Sequence, residues 1–232
     1  VNIFRTDSRA RLALVRPMLF LVALFTVPAA LASEVSPAEN AVRAQKVLEH
    51  RCMVCHGCYD APCQLKMEAH DGLVRGASKA LVYDASRLRK AELTRLFDDA
   101  HTERRWRKKG FYPVLDNEDP TEGVMYRMLQ LKQAHPLDSK GPMPEGFDFS
   151  LARDQQCPKP EEFDKFRKDY PLGGMPYGLP GLNSDDHNTL TSWLEQGAPR
   201  VPKTMLTDTE RKYIERWESF LNADDNKHQL MA

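Results

Sequence analysis

Four of the five cysteines fall within twelve residues, and the first two stand in the order Cys52-Met53-Val54-Cys55-His56. Thiols three residues apart lie one helical turn apart. At that spacing each can form a thioether to one vinyl group of a haem, and the next residue lies under the iron as an imidazole ligand. The expected cofactor is therefore a single covalent haem c, attached through Cys52 and Cys55 and ligated by His56. Two other chemistries use the same residue types: a zinc site on the C-x-x-C pair, and an iron–sulfur cluster on Cys52, Cys55, Cys58 and Cys63.

A haem held this way takes its second axial ligand from elsewhere in the chain. Gly173-Gly174-Met175-Pro176-Tyr177-Gly178 supplies a thioether on a loop whose glycines permit close backbone approach and whose proline stiffens the turn. A thioether also raises the potential of the iron. Met175 is the expected ligand; Met143 in Gly141-Pro142-Met143-Pro144, His70 and an open iron are the alternatives. The competing structural reading is that these methionines only fill loops or the core. Cys58, Cys63 and Cys157 remain, an odd number for an oxidising compartment, which suggests one disulfide and one free thiol with the pairing left open.

The elements that must position these groups begin with an export signal. Arg5, Arg9, Arg11 and Arg16 precede the apolar run Pro17 to Val27, and Ala30-Leu31-Ala32 reads as a small-x-small cleavage site before Ser33. An apolar run this short favours a cleaved signal peptide over a membrane anchor, and an exported chain is expected. Export also fits a haem attached after translocation better than a cluster installed before it. Loss of the four arginines and Asp7 turns a balanced count of 33 basic and 33 acidic residues into a mildly acidic mature chain. Such a chain is poorly suited to nucleic acid. A mean hydropathy of −0.56 with one apolar run excludes a multi-span membrane protein.

Ser36-Pro37-Ala38-Glu39 is a capping box that opens a helix running to Arg51 and delivering the chain into the cysteine cluster. Further helices are expected over Ala91 to His101, from the Asp119-Pro120-Thr121-Glu122 cap to about His135, and around Glu161 to Asp169. Another should run from Asn183 or Ser184 to Gly197, and a last one from the Thr207–Glu210 capping box with Ile214, Trp217 and Leu221 on one stripe. The stretches from Pro136 to Pro160 and from Pro171 to Gly181 read as loops. The helix carrying Leu190 and Trp193 resembles the terminal helix of cytochrome c domains. The expected fold is mostly α: a cytochrome c-like mono-haem domain with long loops and a helical insertion. Its expected layout is a signal peptide at 1–32, the haem domain at 33–202 with the insertion around 72–158, and the helical start of a further, truncated region at 203–232. Val1 and the helix-like opening over Lys227 to Ala232 suggest a fragment of a longer protein.

The string Arg51-Cys-Met-Val-Cys-His-Gly-Cys-Tyr-Asp-Ala-Pro-Cys-Gln-Leu-Lys66, with Gly110-Phe-Tyr-Pro-Val-Leu115 and Arg216-Trp-Glu-Ser-Phe-Leu-Asn222, resembles the haem-containing fatty acid cis/trans isomerases of Gram-negative bacteria. The resemblance implies a periplasmic enzyme that converts cis double bonds of unsaturated acyl chains, in phospholipids or free fatty acids, to trans. It implies peripheral membrane contact, no nicotinamide and no ATP, and it gives Cys52, Cys55 and His56 the family's haem-binding roles. A cis alkene cannot rotate while its π bond is intact. Reversible withdrawal of an electron onto ferric haem would lower that barrier, and the cofactor would carry the chemistry while the protein sets position and potential. The alternative reading of the same residues is a mono-haem electron-transfer cytochrome c, and a zinc-stapled interaction module is a more distant one.

Overall fold

The computed structural model of the protein describes residues 35–57, 61–80, 83–84, 87–88, 94–96, 98–145, 147–148 and 156–222. The expected signal peptide, its cleavage site, Cys58 and the stretch from Lys227 to Ala232 lie outside them. The fold is mostly helical, with α1 Pro37–Arg51, α2 Met53–His56, α3 His70–Arg75, α4 Glu103–Lys108, α5 Val124–Ala134, α6 Phe163–Asp169, α7 Ser184–Glu195 and α8 Asp208–Asn222. Among the described residues, extended pairing is confined to β1 Tyr83–Asp84 antiparallel with β2 Arg87–Leu88, and to one bridge between Ala77 and Tyr112.

Helix starts follow their capping chemistry. The Ser36 hydroxyl accepts from Glu39 N–H while the Glu39 carboxylate accepts from Ser36 N–H, satisfying two orphan donors at the head of α1. Asn183 caps α7 through Asp186 N–H at 2.8 Å, and Thr207 and Glu210 cap α8 reciprocally. At Asp119 the outcome differs. Its carboxylate accepts from Thr121 N–H, so residues 120–122 form a 3₁₀ turn, and α5 begins only after Gly123.

The expected helix over Ala91 to His101 does not form among the residues described there. The Asp99 carboxylate takes the Arg95 N–H at 2.6 Å and its guanidinium at 3.1 Å, and the chain turns instead. The charged, Trp-bearing stretch that follows is helical. Thr102 caps α4, and Trp106 is its one buried residue.

The core is built where α1 lies on α7. Ala41 and Ala44 let the helix axes approach, and Leu48, Leu190, Trp193 and Leu194 fill the seam. Burying each such leucine contributes about 2 kcal/mol. The amide of Asn40 ties the pair by donating to Ser192 Oγ and Gln196 Oε1. Helix α5 and the Phe163 and Phe166 rings of α6 complete the same cluster. A satellite cluster of Ala100, Trp106 and Phe111 lies on the guanidinium of Arg75, which sits 4.7 Å from the Phe111 ring.

Candidate haem site

Cys52, Cys55 and His56 line a cavity whose other walls come from distant parts of the chain. Helix α5 contributes Val124, Met125, Met128 and Leu129. The loop before α7 contributes Met175, Pro176, Leu179 and Leu182, and Ala77, Tyr112 and Val114 add apolar surface. The cavity has a volume of about 220 Å³ and opens to solvent. Residues 72–158, read from sequence as an insertion, thus supply a wall of the site.

His56 is buried, and its Nδ1 lies 2.9 Å from the carbonyl of Leu65. A carbonyl only accepts, so Nδ1 carries the proton. Nε2 keeps its lone pair, with no hydrogen-bond partner among the described residues. Burial lowers the imidazole pKa, opposed in part by the Leu65 bond, which favours the neutral form a metal needs.

The segment that presents the Leu65 carbonyl is held firmly. Met67 N–H donates to His56 O at 2.9 Å, closing the loop, while Cys63 and Gln64 take left-handed backbone conformations, at φ 55° and 48°. Arg75, fully buried, donates to the Gln64 carbonyl, and Thr94 Oγ1 donates to Gln64 Oε1 at 2.8 Å. Burial holds the Arg75 guanidinium down to about 10, still charged at neutral pH.

Cys52 and Cys55 are free thiols. Burial, with a smaller contribution from Cys55, pushes the Cys52 thiol up to about 11, so it is protonated at neutral pH. Cys63 pairs with Cys157 in a disulfide that spans 94 positions and ties the haem-motif segment to the loop before α6. The pairing that sequence left open is thereby assigned, and the Cys63 sulfur is removed from the four-cysteine cluster reading.

Met175 enters the cavity because both glycines before it pack tightly. A Cβ on Gly173 would meet Phe166 Cζ at 2.6 Å, and one on Gly174 would overlap the Lys132 backbone nitrogen. Met175 N–H donates to Met128 O at 3.2 Å.

The alternatives lie elsewhere. Met143 is half-buried in its own loop and does not line the cavity. His70 gives its Nε2 to the Ala198 carbonyl at 2.7 Å and is likewise outside the cavity.

Two features of the site went unread in the sequence. The Leu65 carbonyl is backbone and leaves no residue-type signal. Lys132 follows Met128 by one turn on α5, but its burial and its bond to the Leu179 carbonyl depend on a loop 47 positions further on.

The family model of the fatty acid cis/trans isomerases (CTI) matches residues 91–232, more than half of the chain. The chain belongs to the fatty acid cis/trans isomerase family. The matched segment includes α5, Cys157, the Met175 loop, α7 and α8, whereas Cys52, Cys55 and His56 precede it. Family membership makes the protein an isomerase of fatty acids by class. No curated protein and no solved structure matches the chain.

Proposed function

We infer that this member of the isomerase family is a periplasmic haem c enzyme acting on cis-unsaturated acyl chains of membrane lipids. The observation that carries the reading is that Cys52, Cys55, His56 and Met175 line one apolar cavity although up to 123 positions separate them.

The residues suit the group. Two thiols, one imidazole nitrogen with a free lone pair and one thioether in an apolar setting make a haem c donor set, whereas zinc asks for four converging N or S ligands. Among the described residues no three His, Cys, Asp or Glu side chains are placed to hold a metal ion by themselves. Cys52 and Cys55 would anchor the haem, His56 and Met175 would ligate it, and the packing of α7 on α1 supports the reading of a cytochrome c-like domain.

When bound, the haem supplies a reversible electron acceptor of raised potential, the property that lets a cis double bond loosen and rotate. The protein's own part is positional. The Leu65 carbonyl holds His56 in one tautomer and orientation. Val124, Met125, Met128 and Leu129 keep water from the site and offer an acyl chain an apolar surface.

Val54, 74% exposed beside the cysteines, and Leu179, 49% exposed on the cavity loop, support a peripheral contact through which a membrane lipid reaches the site. No helix of the described residues is long and apolar enough to cross a membrane. Family membership favours the isomerase over an electron carrier built from the same haem residues.

Fatty-acid profiling of cells lacking the gene tests the function. The trans/cis ratio should fail to rise under solvent stress and should recover with the wild-type gene but not with Cys55→Ser. A normal rise in the deletion strain contradicts the assignment.

A further inference from the structure

Lys132 is 2% exposed, and among the described residues no carboxylate pairs with it. Among the described residues its side chain makes one hydrogen bond, from Nζ to the Leu179 carbonyl at 3.1 Å, on the loop that carries Met175. Burying an ammonium without a counter-ion is costly, and a methionine in its place would be apolar and of similar length. Packing therefore gives no reason for a lysine here; the carbonyl it holds does. The same turn of α5 clamps the other end of the loop, through Met128 O on Met175 N–H and through the Lys132 backbone against Gly174.

We propose that Lys132 is a positioning residue for Met175. By fixing the Leu179 carbonyl while Gly174 seats on its backbone, it holds the loop at both ends, so that the thioether stays in the cavity. The proposal rests on Met175 being the second axial ligand, and the two are tested separately. Loop freedom raises the entropic cost of keeping a weak thioether ligand in place, and an external ligand then competes more easily.

The experiment uses ferric holoprotein from the periplasm in four forms: wild type, Met175→Ala, Lys132→Met and Gly174→Ala. Each is read for the far-red sulfur-to-iron band, for its imidazole titration midpoint and for its thermal midpoint. Wild type should show the band and Met175→Ala should lose it. In Lys132→Met imidazole should displace the methionine at a concentration about tenfold lower, the loss expected for a charge-assisted hydrogen bond. Its thermal midpoint should hold or rise, because a buried charge has gone. Gly174→Ala should ease displacement similarly, and it carries the test if Lys132→Met does not accumulate. An unchanged imidazole midpoint in the variant that accumulates, with the band present in wild type and lost in Met175→Ala, overturns the role of Lys132 and leaves the ligand assignment standing. A wild type without the band overturns both.

Discussion

Gly141-Pro142-Met143-Pro144 and Gly173-Gly174-Met175-Pro176 carry similar residue types in similar order, yet of the two methionines only Met175 lines the cavity. The glycines differ in use. Gly141 sits at φ 110° with nothing within 4 Å of where a Cβ would be, so it serves a backbone angle. Gly173 and Gly174 serve proximity, one against Phe166 and the other against the α5 backbone. A Met-Pro loop reaches the cavity only where a packed helix receives it, and local composition does not record which helix that is.

The largest effect that can break this contrast is on iron ligation. Met175→Ala should remove the far-red band of the ferric protein completely, while Met143→Ala should leave it unchanged and alter stability by no more than about 0.5 kcal/mol. A band that survives in Met175→Ala but vanishes in Met143→Ala would reverse the assignment of the two loops.

A smaller effect tests the third candidate. His70 bonds the carbonyl of Ala198, a residue that is 3% exposed. His70→Ala should therefore lower stability by about 1–2 kcal/mol in denaturant titrations, with no change in the optical spectrum. A spectral change would place His70 on the iron.

The smallest effect concerns the neighbouring Asp71–Arg200 pair, which joins the start of α3 to the segment after α7. The Arg200 hydrogen bond leads in lowering the Asp71 pKa below its ordinary 3.8. A carboxylate with a depressed folded pKa contributes stability that is fully present above the unfolded value and is lost as pH falls through the folded one. The pair is well exposed, so Arg200→Met should cost less than about 1 kcal/mol at pH 7. The gap from wild type should close as pH falls below 3.8. A gap that stayed constant into acid would assign the cost to packing.

What was legible in the sequence was what neighbours in the chain decide. Ser36 with Glu39, Asn183 with Asp186, and Thr207 with Glu210 act over three residues, and the helices they open form where those residues stand. The haem motif is equally local. The Asp119 cap stands where its residues place it, but its hydrogen bond to Thr121 N–H opens a tight turn before the α-helix. Helix α4 is not legible in the sequence because its buried face is the single ring of Trp106, too little for periodicity to register. The Cys63–Cys157 bond and the burial of Lys132 depend on chain segments brought together by the fold, and no local pattern specifies either.

Mass spectrometry of the protein isolated from cells that express it tests the central claim most directly. After proteolysis, the peptide containing Cys52, Cys55 and His56 should carry one haem joined through both sulfurs, and replacement of both cysteines by serine should abolish the adduct. The same peptide recovered unmodified from active wild-type enzyme would contradict the account.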